Sequence, residues 1–70
     1  MKQGALIYDF EADRYDIRFD IGDYYGGLHC GDTFEVFANG EWKLTRIENY
    51  KDWYLVGIQT EEIAGLMVRI

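Results

Sequence analysis

Proline is absent from this chain of 70 residues, cysteine occurs once, at Cys30, and 7 basic residues face 13 acidic ones. A lone cysteine excludes an intrachain disulfide, and secreted domains of this length usually need such bridges. A reducing, cytoplasmic setting is therefore expected. No apolar run approaches the roughly 20 residues of a membrane-spanning helix, so no membrane role is expected. Met1-Lys2-Gln3-Gly4 leads directly into a strand-like pattern, without the charged-then-apolar order of a secretory leader. The shortage of lysine and arginine leaves a formal charge of −6, which repels phosphate backbones and puts nucleic-acid binding at a disadvantage. Internal repeats, low-complexity tracts and linkers are missing too. Residues 1–70 read as one small domain, near the lower size at which a core supports itself.

What is present is apolar and aromatic: 49% of the residues are hydrophobic and 17% aromatic, enough to argue against disorder. Large rings are how a small domain buries enough area without cross-links. No window carries helical periodicity with suitable caps, and alternation dominates instead. In Arg14-Tyr15-Asp16-Ile17-Arg18-Phe19-Asp20 the odd positions are apolar and the even ones charged, the pattern of a half-buried strand with a solvated outer row. Gly4 to Phe10 reads as a first strand with Leu6, Tyr8 and Phe10 on one side, turning at Glu11-Ala12-Asp13 into the second. Ile21 to Gly27 reads as a glycine loop, Leu28 to Cys30 as a short extended piece, and Gly31-Asp32 as a turn.

Asn39-Gly40 signals a hairpin between Thr33 and Ile47, and two registers compete. A two-residue turn pairs Phe37 with Trp42 and Glu35 with Leu44, which leaves both faces mixed. A three-residue loop with Gly40 in a bulge pairs Val36 with Trp42, Phe34 with Leu44 and Glu35 with Lys43, giving one wholly apolar face. The bulged register is the expected one. Trp53 to Ile58 is apolar on both faces and reads as a central strand, or as one whose outer face is also covered. Gln59 to Ala64 reads as a loop with room for one helical turn at Thr60-Glu61-Glu62, and Leu66 to Ile70 as a last strand with Leu66, Val68 and Ile70 inward. The fold class is all-β: a small SH3-like barrel of about five antiparallel strands, whose closure would remove exposed edges. The alternative is an open β-meander that dimerises through an edge.

Two resemblances bear on this. Ala5-Leu6-Ile7-Tyr8-Asp9-Phe10-Glu11-Ala12 is similar to the ALYDYEA opening of SH3 domains, with Ile7 extra. Gly31-Asp32-Thr33-Phe34-Glu35-Val36 and Asp52-Trp53-Tyr54-Leu55 are similar to two further SH3 strands, in the same order. The resemblance implies a groove to which Tyr8 and Trp53 contribute. The Pro-x-x-Tyr element of that groove has no counterpart in Leu66–Ile70, and the extra Ile7 would turn Tyr8 to the other face, so the likeness speaks for fold more than for proline-peptide binding. The second covers nearly the whole chain: Arg14 to Asp20, Tyr24-Tyr25-Gly26-Gly27-Leu28-His29-Cys30-Gly31, Trp53 to Ile58 and Gly65-Leu66 resemble a family of short bacterial proteins, mostly Gram-positive, known as a domain of unknown function. It implies a source and a size, with no activity attached.

Candidate chemistry is sparse. His29 and Cys30 could form a nucleophile and base, but neighbours on an extended segment diverge and no further Cys or His completes a metal set. Cys30 is expected to be a small buried hydrophobe. Gly22, Gly26 and Gly27 lack the helix or Gly-Lys-Ser/Thr of a phosphate loop and read as turn glycines. Asp9, Glu11 and Asp13 lack calcium-loop spacing and read, with the other carboxylates, as a solvated face. No catalytic residue, metal site or cofactor is expected. What remains is aromatic: Tyr24 and Tyr25 adjacent in a glycine loop, and Trp53 at a strand start, residue types and positions typical of contact surfaces. The expected function is a small non-catalytic module binding a protein or peptide partner through Tyr24, Tyr25 and Trp53, with the acidic surroundings favouring a basic partner. A nucleic-acid-associated barrel and a self-associating structural subunit are the alternatives.

Overall fold

In the computed structural model, which describes residues 1–70, the alternation of the first twenty residues becomes an antiparallel hairpin. Strand β1 (Gln3–Asp9) pairs with β2 (Arg14–Asp20) so that Leu6 faces Ile17 and Tyr8 faces Tyr15. The turn between them is set by Asp9, whose Oδ1 accepts the N–H groups of Glu11 (3.0 Å) and Ala12 (3.2 Å). Tyr15 and Ile17 point into the core and Phe19 packs against it, as the odd-position pattern requires. The two strands approach closely at Gly4, where a Cβ would lie 2.4 Å from the Arg18 carbonyl oxygen and 2.8 Å from Ile17 Cγ2.

Five further strands follow: β3 (Asp23–Tyr24), β4 (Thr33–Ala38), β5 (Glu41–Tyr50), β6 (Asp52–Leu55) and β7 (Met67–Arg69). All seven form one antiparallel sheet in the order β3-β2-β1-β7-β4-β5-β6. The all-β class holds. The strands number seven rather than five, and the sheet is open, with one neighbour each for β3 and β6. It curls over a core of Leu6, Tyr15, Ile17, Leu28, Phe34, Val36, Ile47, Leu55, Ile63 and Val68, contributed from both halves of the strand order. Tyr15 on β2 thereby meets Trp53 on β6, with ring centroids 6.4 Å apart. The short β7 holds the halves together, pairing with β1 on one side and β4 on the other around a fully buried Val68.

Three expectations are corrected. The β4–β5 hairpin takes the two-residue register, Phe37 opposite Trp42 and Glu35 opposite Leu44. Asn39 and Gly40 both adopt positive φ (54° and 80°), the backbone of a type I′ turn whose twist matches the flanking strands. Trp42 and Leu44 therefore lie on the outer face. Leu44 is 75% exposed, while Trp42 is shielded by Phe37 (centroids 5.3 Å) and by the Arg69 guanidinium 4.2 Å from its ring. Glu35 pairs with Arg69 across β4–β7 instead of with Lys43. The Trp53–Ile58 segment is no central strand: β6 stops at Leu55, leaves Tyr54 partly exposed, and forms one end of the sheet. Cys30 is exposed, because Leu28 occupies the buried position of its segment, anchored by its N–H to the Tyr15 carbonyl at 2.8 Å.

The outer row of β2 is not uniformly solvated either. Asp16 is 8% exposed, and its Oδ1 accepts three backbone N–H groups, from Ile17 (2.7 Å), Gly26 (3.0 Å) and Gly27 (2.9 Å). The loop carrying Tyr24 and Tyr25 is thus tied to the strand by one carboxylate. No helix is present, so none is long and apolar enough to cross a membrane.

Candidate functional site

Alternation on β1 and the cross-strand pairing with β2 set Tyr8 against Tyr15 on the same face. Their rings meet edge to face with centroids 5.1 Å apart. Phe10, just beyond the end of β1, adds a third ring 5.0 Å from Tyr8, and Trp53 a fourth beside Tyr15. The T-shaped geometry is the one that aromatic quadrupoles favour. The result is a continuous row, Trp53–Tyr15–Tyr8–Phe10, sunk into the core at Tyr15, partly covered at Trp53 and open at Phe10, which is 87% exposed. An exposed phenylalanine at a hairpin turn adds nothing to the core and leaves most of its apolar area open to solvent.

Tyr15, Tyr8 and Phe10 of this row form one wall of a groove of about 710 Å³ lined also by Leu6, Asp52, Glu62, Ala64 and Gly65, with Ala5 and Ile7. The opposite wall is the loop before β7, laced to β1 by Gly65 N–H to the Leu6 carbonyl (2.7 Å) and Leu6 N–H to the Leu66 carbonyl (2.9 Å). Glu62 Oε1 accepts the Tyr15 hydroxyl at 3.2 Å and the Ala64 N–H at 3.1 Å. Burial, then the Glu62 charge and its hydrogen bond, and finally Asp52 push the Tyr15 hydroxyl up to about 12. The Tyr8 hydroxyl donates to Asp13 across the turn. Aromatic faces and carboxylates thus share one concave surface, with no basic side chain lining it.

The residues expected from sequence stand at the margins of this surface. Trp53 ends the row on the Tyr15 side. Tyr24, 47% exposed on β3, lines a second depression of about 570 Å³ with Ile7, Tyr8 and Phe10, so Phe10 borders both hollows. Tyr25, 43% exposed, lines neither; its N–H donates to the Ile17 carbonyl at 2.9 Å. The three do not form a single cluster. In sequence, Tyr8 is marked as a site residue only through the SH3 likeness and Phe10 and Tyr15 not at all, yet their signal is present: a turn at Glu11–Asp13 with both strands alternating brings Tyr8 opposite Tyr15. His29 is exposed beside Asp32 (3.9 Å), and no group of three or more His, Cys, Asp or Glu side chains converges as a metal site.

Comparison with known proteins places the chain without assigning it an activity. A family model described as a domain of unknown function (DUF5348) matches residues 4–70. No curated protein matches the chain. A crystal structure of a protein from Ruminococcus gnavus, a structural-genomics target, is 51% identical and covers 97% of this chain and 99% of its own, with a TM-score of 0.92.

Proposed function

We propose, from the premise that the chain belongs to the DUF5348 family of domains of unknown function, that it is a small non-catalytic module which binds an extended segment of a protein partner in the Phe10–Tyr8–Tyr15 groove. The observation that carries this reading is Phe10, a large apolar ring held out at the mouth of a groove already walled by aromatics. Buried, well-packed aromatics ringed by polar groups are where binding energy concentrates at protein interfaces. Tyr24 extends the surface past Phe10 and Trp53 extends it past Tyr15. The carboxylates along the groove suit a basic segment and disfavour nucleic acid. A reducing cytoplasm is the setting assumed, since Cys30 is exposed and unpaired.

Selection of linear peptides from a displayed random library against the full chain tests the reading. Enriched peptides that lose binding to Phe10→Ala but retain it with Leu44→Ala support it. Failure to enrich any peptide, or enrichment indifferent to Phe10→Ala, removes it. A second reading, self-association, has one observation behind it: β6 is a free sheet edge, and Phe37, Trp42 and Leu44 form an apolar patch on the outer face. Sedimentation equilibrium of the purified chain separates the two, a monomer speaking against self-association.

A further inference from the structure

The groove has negative charge and no counter-ion. Asp52 and Glu62 are its only charged lining residues, and none of the chain's five ion pairs involves a residue of the groove. Each carboxylate is oriented through one oxygen: Asp52 Oδ1 accepts the Trp53 N–H at 2.8 Å, and both hydrogen bonds to Glu62 fall on Oε1. Their second oxygens, Oδ2 and Oε2, are left for a ligand. Tyr15 donates its hydroxyl to Glu62 and lines the groove together with Asp52, and Tyr8 and Phe10 continue its aromatic wall. Two uncommitted carboxylate oxygens in a groove with an aromatic wall suit a planar, delocalised cation. A guanidinium stacks on aromatic rings, donates in a fork to carboxylate oxygens and is more weakly hydrated than an ammonium, so less is lost when it enters a groove.

Resting on the reading of this groove as a peptide-binding surface, we propose that it seats the guanidinium of an arginine side chain carried by the partner at the Asp52 and Glu62 carboxylates, where the edge of Tyr15 reaches the groove. The arginine supplies the positive charge that the groove lacks, and the rest of the partner segment lies along Tyr8 and Phe10.

Titration of the full chain, labelled with nitrogen-15, with three small probes tests this: the N-acetyl amides of arginine, lysine and citrulline. Arginine amide shifts the amide signals of Tyr15, Ala64 and Gly65 saturably, with a dissociation constant on the order of millimolar. Lysine amide binds more weakly, and citrulline amide, which has the same shape without the charge, leaves those signals in place. Glu62→Gln weakens arginine binding about tenfold, as loss of a charge-assisted hydrogen bond does; its unchanged circular dichroism confirms that the fold persists. Equal binding of citrulline and arginine, equal binding of lysine and arginine, an unaffected Glu62→Gln, or no saturable shift in the groove each overturns the proposal. Peptides that bind the groove without arginine overturn it while leaving the peptide-binding reading intact, and the absence of any groove-binding peptide removes that reading itself.

Discussion

Replacing Asp16 by alanine should destabilise the chain far more than any other exchange of a carboxylate on its strand. One oxygen of Asp16 accepts the N–H groups of Ile17, Gly26 and Gly27 at 2.7–3.0 Å, from a position 8% exposed. Hydrogen bonds to a charged acceptor contribute about 1.5–3 kcal/mol each, and a donor left without a partner in a buried place costs about 1–3 kcal/mol. The three are not additive, since Gly26 is exposed and its N–H regains water once the carboxylate is gone. A net loss of about 2–3 kcal/mol follows. For a domain of this size each kcal/mol lowers the melting temperature by about 4–8 °C, so Asp16→Ala should melt about 8–24 °C below the parent. Asp16→Asn keeps an acceptor oxygen and should lose about 1 kcal/mol. Asp20→Ala is the control: its Oδ1 accepts only the Ile21 N–H, in the open, and the change should stay within about 0.5 kcal/mol. Urea unfolding followed by Trp42 and Trp53 fluorescence gives the stabilities, and amide exchange at Gly26 and Gly27 reports the loop directly. An Asp16→Ala variant within about 0.5 kcal/mol of the parent would refute the idea that this carboxylate anchors the tyrosine loop.

Gly4→Ala should cost about 1–3 kcal/mol, because the new Cβ meets the Arg18 backbone carbonyl and the fully buried Ile17 side chain, and an unchanged urea midpoint would contradict the close β1–β2 approach. Leu44→Lys, on the outer face, should leave stability within about 0.5 kcal/mol, whereas Thr45→Lys, which buries a charge, should cost about 2 kcal/mol or more; the reverse order would restore the bulged register. Tyr15 makes stability sensitive to alkali: its hydroxyl is raised from 10.0 to about 12 in the folded chain, so its contribution is fully present below pH 10 and lost as pH rises through about 12. Tyr15→Phe should flatten that alkaline limb in denaturation midpoints measured from pH 9 to 12, and limbs of equal steepness would show that another group is responsible.

The parts of the fold legible in sequence are those where one local pattern had a single physical solution. Seven residues of alternation at Arg14–Asp20 could only be a half-buried strand, and they are. The β4–β5 register misleads in sequence because a wholly apolar inner face is the simpler pattern and the observed faces are mixed. The chain instead favours the turn geometry of Asn39-Gly40 and covers Trp42 from outside with Phe37 and Arg69, the latter from a strand distant in sequence. Asp16 looked like its charged neighbours, and only the return of the glycine loop over it reveals the difference. The apolar run at Trp53–Ile58 suggested burial on both faces, yet Gly57 adopts φ 79° just past a four-residue edge strand. For the site, Trp53 and Tyr24 were visible as aromatics at element ends. The row that links them depends on Tyr8 facing Tyr15 and on the curl that brings Trp53 to Tyr15, and the second of these is tertiary.

The central claim is that the Phe10–Tyr8–Tyr15 groove is where this chain meets its partner. Chemical-shift mapping of a library-selected peptide on the labelled full chain tests it most directly. The largest shifts should fall on Tyr8, Phe10, Tyr15, Ala64 and Gly65, and vanish in Phe10→Ala. Shifts confined to Phe37, Trp42 and Leu44 on the outer face, or to the Tyr24–Tyr25 loop alone, would contradict it.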